Sequence, residues 1–259
     1  MYKDYNTEGI ILKDIKSGKD TDWSGKKINT LELSSSYKRI GYDKKSFRVG
    51  ECGDYLEFRL AANDTLKLTK ANFCKVRLCP MCSWRRSLKI FGQVSKVMDY
   101  VEENYNYKYI FLTLTLKNCC GENLKDTLDL MTKAFNKLSE RKAFKQAVKG
   151  YFRSLEITYN KENDTYHPHF HMILAVDNNY FTNSRVYLSQ ENWTNLWKSC
   201  LKVNYTPIVD IRKLRENQGK EVAEVAKYTV KADDFLIRDE KGNIKENLTD
   251  EVVKTLDTA

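Results

Sequence analysis

Apolar and polar residues alternate with a period of two in a pair of neighbouring stretches, Ser154-Leu-Glu-Ile-Thr-Tyr-Asn160 and His167-Pro-His-Phe-His-Met-Ile-Leu174. Both read as short strands, joined by a polar turn around Asn163 and Asp164. Successive strand side chains point to opposite faces, so Leu155 and Ile157 belong on the same core as Phe170, Met172 and Leu174. Upstream, Ser83 to about Glu103 spaces Trp84, Leu88, Phe91, Val94 and Met98 by three and four residues, which predicts a helix. Tyr109 to Leu116 alternates again, with Ile110, Leu112, Leu114 and Leu116 on one face. Leu124, Leu128, Met131, Phe135 and Leu138 mark a second helix, and Trp193, Leu196, Trp197, Cys200 and Leu201 a third. A last short strand, Thr206 to Arg212, turns Val209 and Ile211 to the core. The order β-α-β-β-α-β predicts an α+β fold, a split βαβ or ferredoxin-like antiparallel sheet with helices on one face.

Around that core, 106–235, the sequence divides into three further regions. Residues 1–46 are polar, with Ser34-Ser35-Ser36 and scattered lysines, and read as a loosely held leader. Residues 47–105, a basic subdomain, hold a short alternating segment (Tyr55, Glu57 and Arg59 against Leu56, Phe58 and Leu60), a cysteine cluster and the first helix. Residues 236–259 form a tail with a turn at Glu240-Lys-Gly-Asn and a helix from Thr249.

The predicted open face of the sheet carries Thr113, Thr115, Glu156, Thr158, His169 and His171. The chain has three histidines, and all fall between positions 167 and 171. Folding the hairpin about Asn163 and Asp164 sets Glu156 roughly across from His171, so two imidazoles and a carboxylate converge on one exposed patch. Such a mixed shell with open positions suits Mn²⁺ or Mg²⁺, with Zn²⁺ an option. The alternative is a set of surface histidines on a half-exposed strand. A second cluster has different chemistry. Cys79-Pro-Met-Cys82 has the knuckle spacing of a structural zinc site, and Cys74 and Cys52 supply the remaining ligands. Four thiolates leave no open position, so that Zn²⁺ would be structural; the alternative is buried free thiols.

A net charge of +9 points to a polyanionic partner, nucleic acid first. The cationic residues crowd the knuckle: Lys67, Lys70, Lys75, Arg77, Arg85, Arg86 and Lys89, with Phe73 and Trp84 interleaved and no acid between Asp64 and Asp99. That pattern suits phosphate tracking with base stacking, against the alternative of a solvated helix face. No apolar run approaches the ~20 residues of a membrane span. Nor does the start resemble a signal peptide, and seven unevenly placed cysteines argue for a reducing cytoplasm.

Glu221-Val-Ala-Glu224-Val-Ala-Lys227-Tyr228-Thr-Val-Lys231 lacks Gly and Pro and predicts a helix. Glu224, Tyr228 and Lys231 then share one side. A phenol beside a carboxylate and cations could attack phosphorus, yet with sixteen tyrosines in the chain spacing alone does not select Tyr228.

A family resemblance does select it. His169-Phe-His171, preceded by His167-Pro, resembles the His-hydrophobic-His motif of HUH endonucleases. Phe111-Leu-Thr-Leu-Thr-Leu resembles their first core strand, and Glu224-x-x-x-Tyr228-x-x-Lys231 their nucleophile helix. With the Cys-x-x-x-x-Cys-Pro-x-Cys segment, residues 50–235 resemble the rolling-circle plasmid replication initiators of Gram-positive bacteria.

The resemblance implies that His169, His171 and Glu156 hold the catalytic metal. Tyr228 cuts one strand of the origin and keeps the 5′-phosphate, Glu224 lets water close the terminating step, and Lys231 holds a phosphate. It adds Lys227 to the DNA-binding candidates Lys75, Arg77, Trp84, Arg85, Arg86 and Lys89. His167 lies outside the two-histidine motif. The implied partners are plasmid origin DNA, single-stranded at the nick, a host helicase and DNA polymerase, with a second copy of the chain, as a homodimer, a further candidate. A helicase would be separate, because no Gly-x-x-x-x-Gly-Lys-Ser/Thr loop is present. Competing readings are a transposase or mobilisation relaxase of the same chemistry, a non-catalytic zinc-stabilised DNA-binding regulator, and a zinc hydrolase of small substrates.

Overall fold

The computed structural model describes residues 22–62, 66–214, 222–223, 225–226 and 230–259. The chain is mixed α+β and forms two compact units, one of Met1–Ser83 with Leu236–Val253 and one of Trp84–Phe235 with Lys254–Ala259.

In the second unit, β3 (Lys108–Thr115), β4 (Val148–Asn160), β5 (Thr165–Val176) and β6 (Val209–Lys213) form an antiparallel sheet in the order β4-β5-β3-β6. Between β3 and β4 lie α4 (Leu124–Glu140) and α5 (Lys142–Ala147); α6 (Gln190–Leu201) lies between β5 and β6. One sheet face presents Ile110, Leu112, Leu114, Phe170, Met172 and Leu174 to Met131, Phe135, Leu138, Trp193 and Trp197, a fully buried apolar layer. Ser189 and Asn192 reciprocally cap the start of α6, satisfying backbone donors that a helix leaves over. The Trp197 indole donates to the Thr115 carbonyl at 2.8 Å, tying that helix to the end of β3.

The opposite face is not wholly open. Helix α3 (Pro80–Tyr105) contributes Ile90, Phe91, Val94 and Met98, which pack with Phe111, Ile173, Phe152, Val222 and Val225. The expectation of helices on one face only is therefore corrected. Alternation is imperfect: β3 and β5 place Phe111 and Ile173 on the face that elsewhere carries Thr113 and His171, and that apolar half requires a cover.

The hairpin turn falls where the sequence puts it, with Asp164 at φ 47 and its carboxylate accepting from the Tyr159 hydroxyl at 2.7 Å. β4, however, starts six residues before Ser154, at Val148. After β6 comes α7 (Ala232–Phe235), a single turn.

In the first unit, the stretch expected to be a loose leader contains α1 (Trp23–Arg39) and α2 (Asp43–Gly50); residues 1–21 lie outside the described residues. Asp22 caps α1, accepting from the Gly25 amide at 3.0 Å. Of the serines that read as loop, Ser34 makes a helix–helix contact: it donates to the Ser46 carbonyl at 2.8 Å, and Ser46 returns a bond to the Ser34 carbonyl at 2.9 Å. Leu33, Tyr37 and Val49 are fully buried. β1 (Leu56–Leu60) and β2 (Leu66–Ala71) pair as a separate two-stranded sheet. The tail contributes α8 (Glu246–Thr258), which begins three residues before Thr249; its Asp250 accepts from Arg39 at 2.7 Å. No described helix is long and apolar enough to cross a membrane.

Trp197→Ala should cost about 3–5 kcal/mol of stability, the range for emptying a buried aromatic site. Trp197→Phe should cost less, because it keeps one ring while losing the bond to Thr115 and part of the packed volume. Urea unfolding followed by far-UV circular dichroism checks both.

Candidate functional site

Rows of paired residues cross the second sheet face, and their register decides which side chains meet. Glu156 pairs with His169 and His169 with Thr115; one row along, Ser154 pairs with His171 and His171 with Thr113. The expected pairing of Glu156 with His171 is thus corrected by one row. All of these side chains still share a face, because a shift of two residues preserves the alternation.

The carboxylate nevertheless reaches both rings. Glu156 Oε2 lies 3.0 Å from His171 Nε2 and 3.4 Å from His169 Nε2, while Oε1 takes the Lys231 ammonium at 2.9 Å. Glu156 and His169 are 4% and 8% exposed, so the expected exposed patch is in fact a buried cluster. Burial alone would raise the Glu156 carboxyl. Its hydrogen bonds with His169, His171 and Lys231 outweigh that and hold it well below the usual carboxylate range.

The imidazoles are fixed from behind. His169 Nδ1 lies 3.1 Å from the His167 carbonyl, which can only accept, so the ring donates there and turns its Nε2 toward Glu156. His171 Nδ1 lies 3.2 Å from the Thr113 hydroxyl.

The three ligand atoms lie within 4.8 Å of one another. Neighbouring ligands sit about 3.0 Å apart around an octahedral ion with 2.1 Å bonds, and about 3.4 Å apart around a tetrahedral zinc. The observed separations of 3.0 and 3.4 Å fit either ion. His167 stands beside the cluster, its ring stacked on His169 at 5.2 Å; burial and the neighbouring His169 hold it below the ordinary histidine value.

Two contributors were not singled out from the sequence. Thr113 shares the face of the histidines, and its hydroxyl steadies the His171 ring. Asp234 accepts from the Lys231 backbone amide at 3.3 Å, holding the residue that reaches Glu156. The pair Asp233-Asp234 soon after Lys231 has the look of a helix start, and that was its signal. Glu224, Lys227 and Tyr228 lie outside the described residues.

In the other unit Cys52, Cys74, Cys79 and Cys82 are buried and unbridged, with Sγ separations of 3.5 Å (Cys52–Cys82), 3.6 Å (Cys74–Cys82) and 3.7 Å (Cys52–Cys79). A zinc tetrahedron with 2.3 Å bonds has edges of about 3.8 Å, so the donor set fits that ion. Backbone amides point at the sulfurs: Lys75 N to Cys82 Sγ at 3.2 Å and Cys74 N to Cys52 Sγ at 3.4 Å. Such amides favour thiolates. Sulfur contacts with Cys52, Cys74 and Cys79 push Cys82 below the ordinary thiol value, and contacts with the other three push Cys79 above it. Of the DNA-binding candidates, Lys75, Arg77, Arg86 and Lys89 are exposed, and Trp84 and Arg85 are half-buried.

A family model described as "Replication protein" matches residues 65–259. The chain belongs to the replication protein family. This is the family the motifs resemble, the rolling-circle plasmid replication initiators. The "Protein rep" of Bacillus amyloliquefaciens is 42% identical over 261 residues, covering 91% of this chain and 76% of that protein. That of Streptococcus pneumoniae serotype 2 is 41% identical over 237 residues (89% and 74%), and one from Bacillus sp is 45% identical over 213 (75% and 69%). No solved structure matches this replication protein significantly.

Elemental analysis of the purified replication protein should find about one structural zinc per chain. Cys79→Ser or Cys82→Ser should lose it and destabilise that unit while leaving manganese binding at Glu156, His169 and His171 intact. At the second cluster, Thr113→Val should weaken manganese affinity about tenfold by freeing the His171 ring. His171→Ala should weaken it further; manganese electron paramagnetic resonance titration reads both.

Proposed function

We propose that the chain initiates plasmid rolling-circle replication by nicking one strand of the origin and holding its 5′ end as a phosphotyrosine. The observation that carries this reading is the convergence of Glu156, His169 and His171 on one buried point of the sheet, in a chain of the replication protein family. The strand order β4-β5-β3-β6, with β-α-β-β-α-β connectivity, supports reading the second unit as a ferredoxin-like HUH core.

Glu156, His169 and His171 would hold Mn²⁺ or Mg²⁺, which when bound offsets the charge building on a scissile phosphate. The rest falls to side chains. The Tyr228 oxygen forms the new bond to phosphorus as the bond to the 3′ oxygen breaks, leaving the released 3′-hydroxyl to prime synthesis. A phenol with a pKa of about 10 needs nearby positive charge to lose its proton near neutrality. Lys231 supplies such charge beside Glu156. It stands at the carboxylate in this structure, within reach of a phosphate brought to the same point.

Two facts support placing the nucleophile segment at this site. Val222 and Val225 pack on Phe111 and Ile173, and Lys231 bonds to Glu156. Glu224 would act as general base for water in the terminating step, so that the initiator is released from the DNA. The basic residues Lys75, Arg77, Arg85, Arg86, Lys89 and Lys227, with Trp84, would hold origin DNA, and the four-cysteine zinc would order the segment carrying the first of them. In the cytoplasm a host helicase and polymerase would extend the primer.

Mixed with a single-stranded origin oligonucleotide and Mn²⁺, the protein should give a covalent band on denaturing gels that vanishes in Tyr228→Phe. Tight binding with the oligonucleotide left intact would point instead to a DNA-binding regulator. Glu224→Ala should still cut and transfer strands but release several-fold less hydrolysed product; unchanged hydrolysis removes Glu224 from the mechanism.

A further inference from the structure

At the end of the sheet away from the histidines, a cleft of about 540 Å³ opens between the α3–β3 junction and the turn after β5. The junction supplies Tyr105 and Tyr107, and the turn supplies Asp177, Asn178, Asn179 and Thr182. Asn106 closes α3 in the left-handed conformation, at φ 49, as Asn does at helix ends. The tyrosines on either side of it stack, with ring centroids 5.6 Å apart and planes 23° apart, and Tyr100 meets Tyr105 edge-on at 6.4 Å. Tyr105 is 55% exposed, so the tyrosine pair lies at the protein surface.

The opposite wall is built of hydrogen-bonding groups. Among the described residues, the side-chain amides of Asn178 and Asn179 on that wall, and of Asn106 on the tyrosine side, make no hydrogen bond within the protein. Each offers donor and acceptor together, the combination that matches a base edge. The acid in the cleft is compensated, since Asp177 pairs with Lys149 at 2.9 Å and presents little uncancelled charge to a phosphate. These residues stand apart from the Glu156, His169 and His171 cluster.

From this juxtaposition of stacked tyrosines and unengaged amides we infer that the cleft binds one unpaired nucleobase of a single-stranded DNA. The inference rests on the proposed origin-nicking function and adds a specificity element to it. Because the turn at Asp177 directly continues β5, the strand that carries His171, their spacing is rigid: six residues of extended chain, about 20 Å. A DNA strand lying at the metal cluster and gripped here would be held in one register, so the base in the cleft would help choose which phosphate is cut.

The test uses the full chain and fluorescence anisotropy with two single-stranded probes about 15 nucleotides long, the upper part of the usual site size. One is an oligothymidine, the other an abasic strand with the same phosphates. The unmodified protein should prefer the base-bearing probe about tenfold. Tyr105→Ala and Asn179→Ala, both at exposed positions, should each cut that preference about five- to tenfold, the loss of one stacked or hydrogen-bonded base. Tyr105→Trp should restore it. Equal binding of both probes by the unmodified protein, or a preference unchanged in both alanine variants, overturns the cleft while leaving origin nicking intact. No binding to either probe overturns the DNA-binding reading, and the cleft with it. Homopolymer binding requires no cutting, so the outcome does not depend on Tyr228.

Discussion

A buried carboxylate flanked by two imidazoles is the constraint on which the second unit depends. Glu156 is almost fully enclosed, and an ionised carboxylate in that position is tolerable only with partners. The two Nε2 atoms lie at one oxygen and the Lys231 ammonium at the other. Behind the rings, the Thr113 hydroxyl and the His167 carbonyl fix the imidazoles themselves. The imidazoles and the ammonium together compensate the enclosed carboxylate, and three donor atoms converge on one point as a result.

The rest of that unit positions these few atoms. The apolar layer beneath the sheet clamps β3 and β5 against α4 and α6, and on the site face α3 covers only the half that is apolar. The division of the face follows from side-chain chemistry. Phe111 and Ile173 demand cover, whereas Thr113, Glu156, His169 and His171 satisfy one another through polar contacts. A rigid sheet with a half-covered face is what the proposed nicking reaction would need, a fixed point that a strand of DNA can approach.

The first unit has another source of order. Its two-stranded sheet is too small to stand alone, and its four sulfurs sit at the spacing of a zinc tetrahedron. The α1–α2 pair and the tail helix add the packing of Leu33, Tyr37, Val252 and Val253, joined by the Arg39 ion pairs with Glu246 and Asp250. This composition also accounts for what reading the chain missed. Serines at close helix contacts have the composition of a loop, and nothing local to positions 34–36 says that a partner helix lies at Ser46.

The sequence by itself determined the α+β class, the hairpin and its turn, the histidine and cysteine clusters and the family, because period-two alternation, turn chemistry and ligand spacing are local. It located Glu156 on the right face, since a face needs only the parity of a position along a strand. Tertiary structure alone decided the rest. Register between strands set Glu156 opposite His169, and packing against α3 covered half of a face that read as open. The chain's return at Lys231 brought an ammonium to a carboxylate 75 positions away in number but 2.9 Å in space. Those outcomes depend on which elements meet, and no local pattern of residue types encodes that.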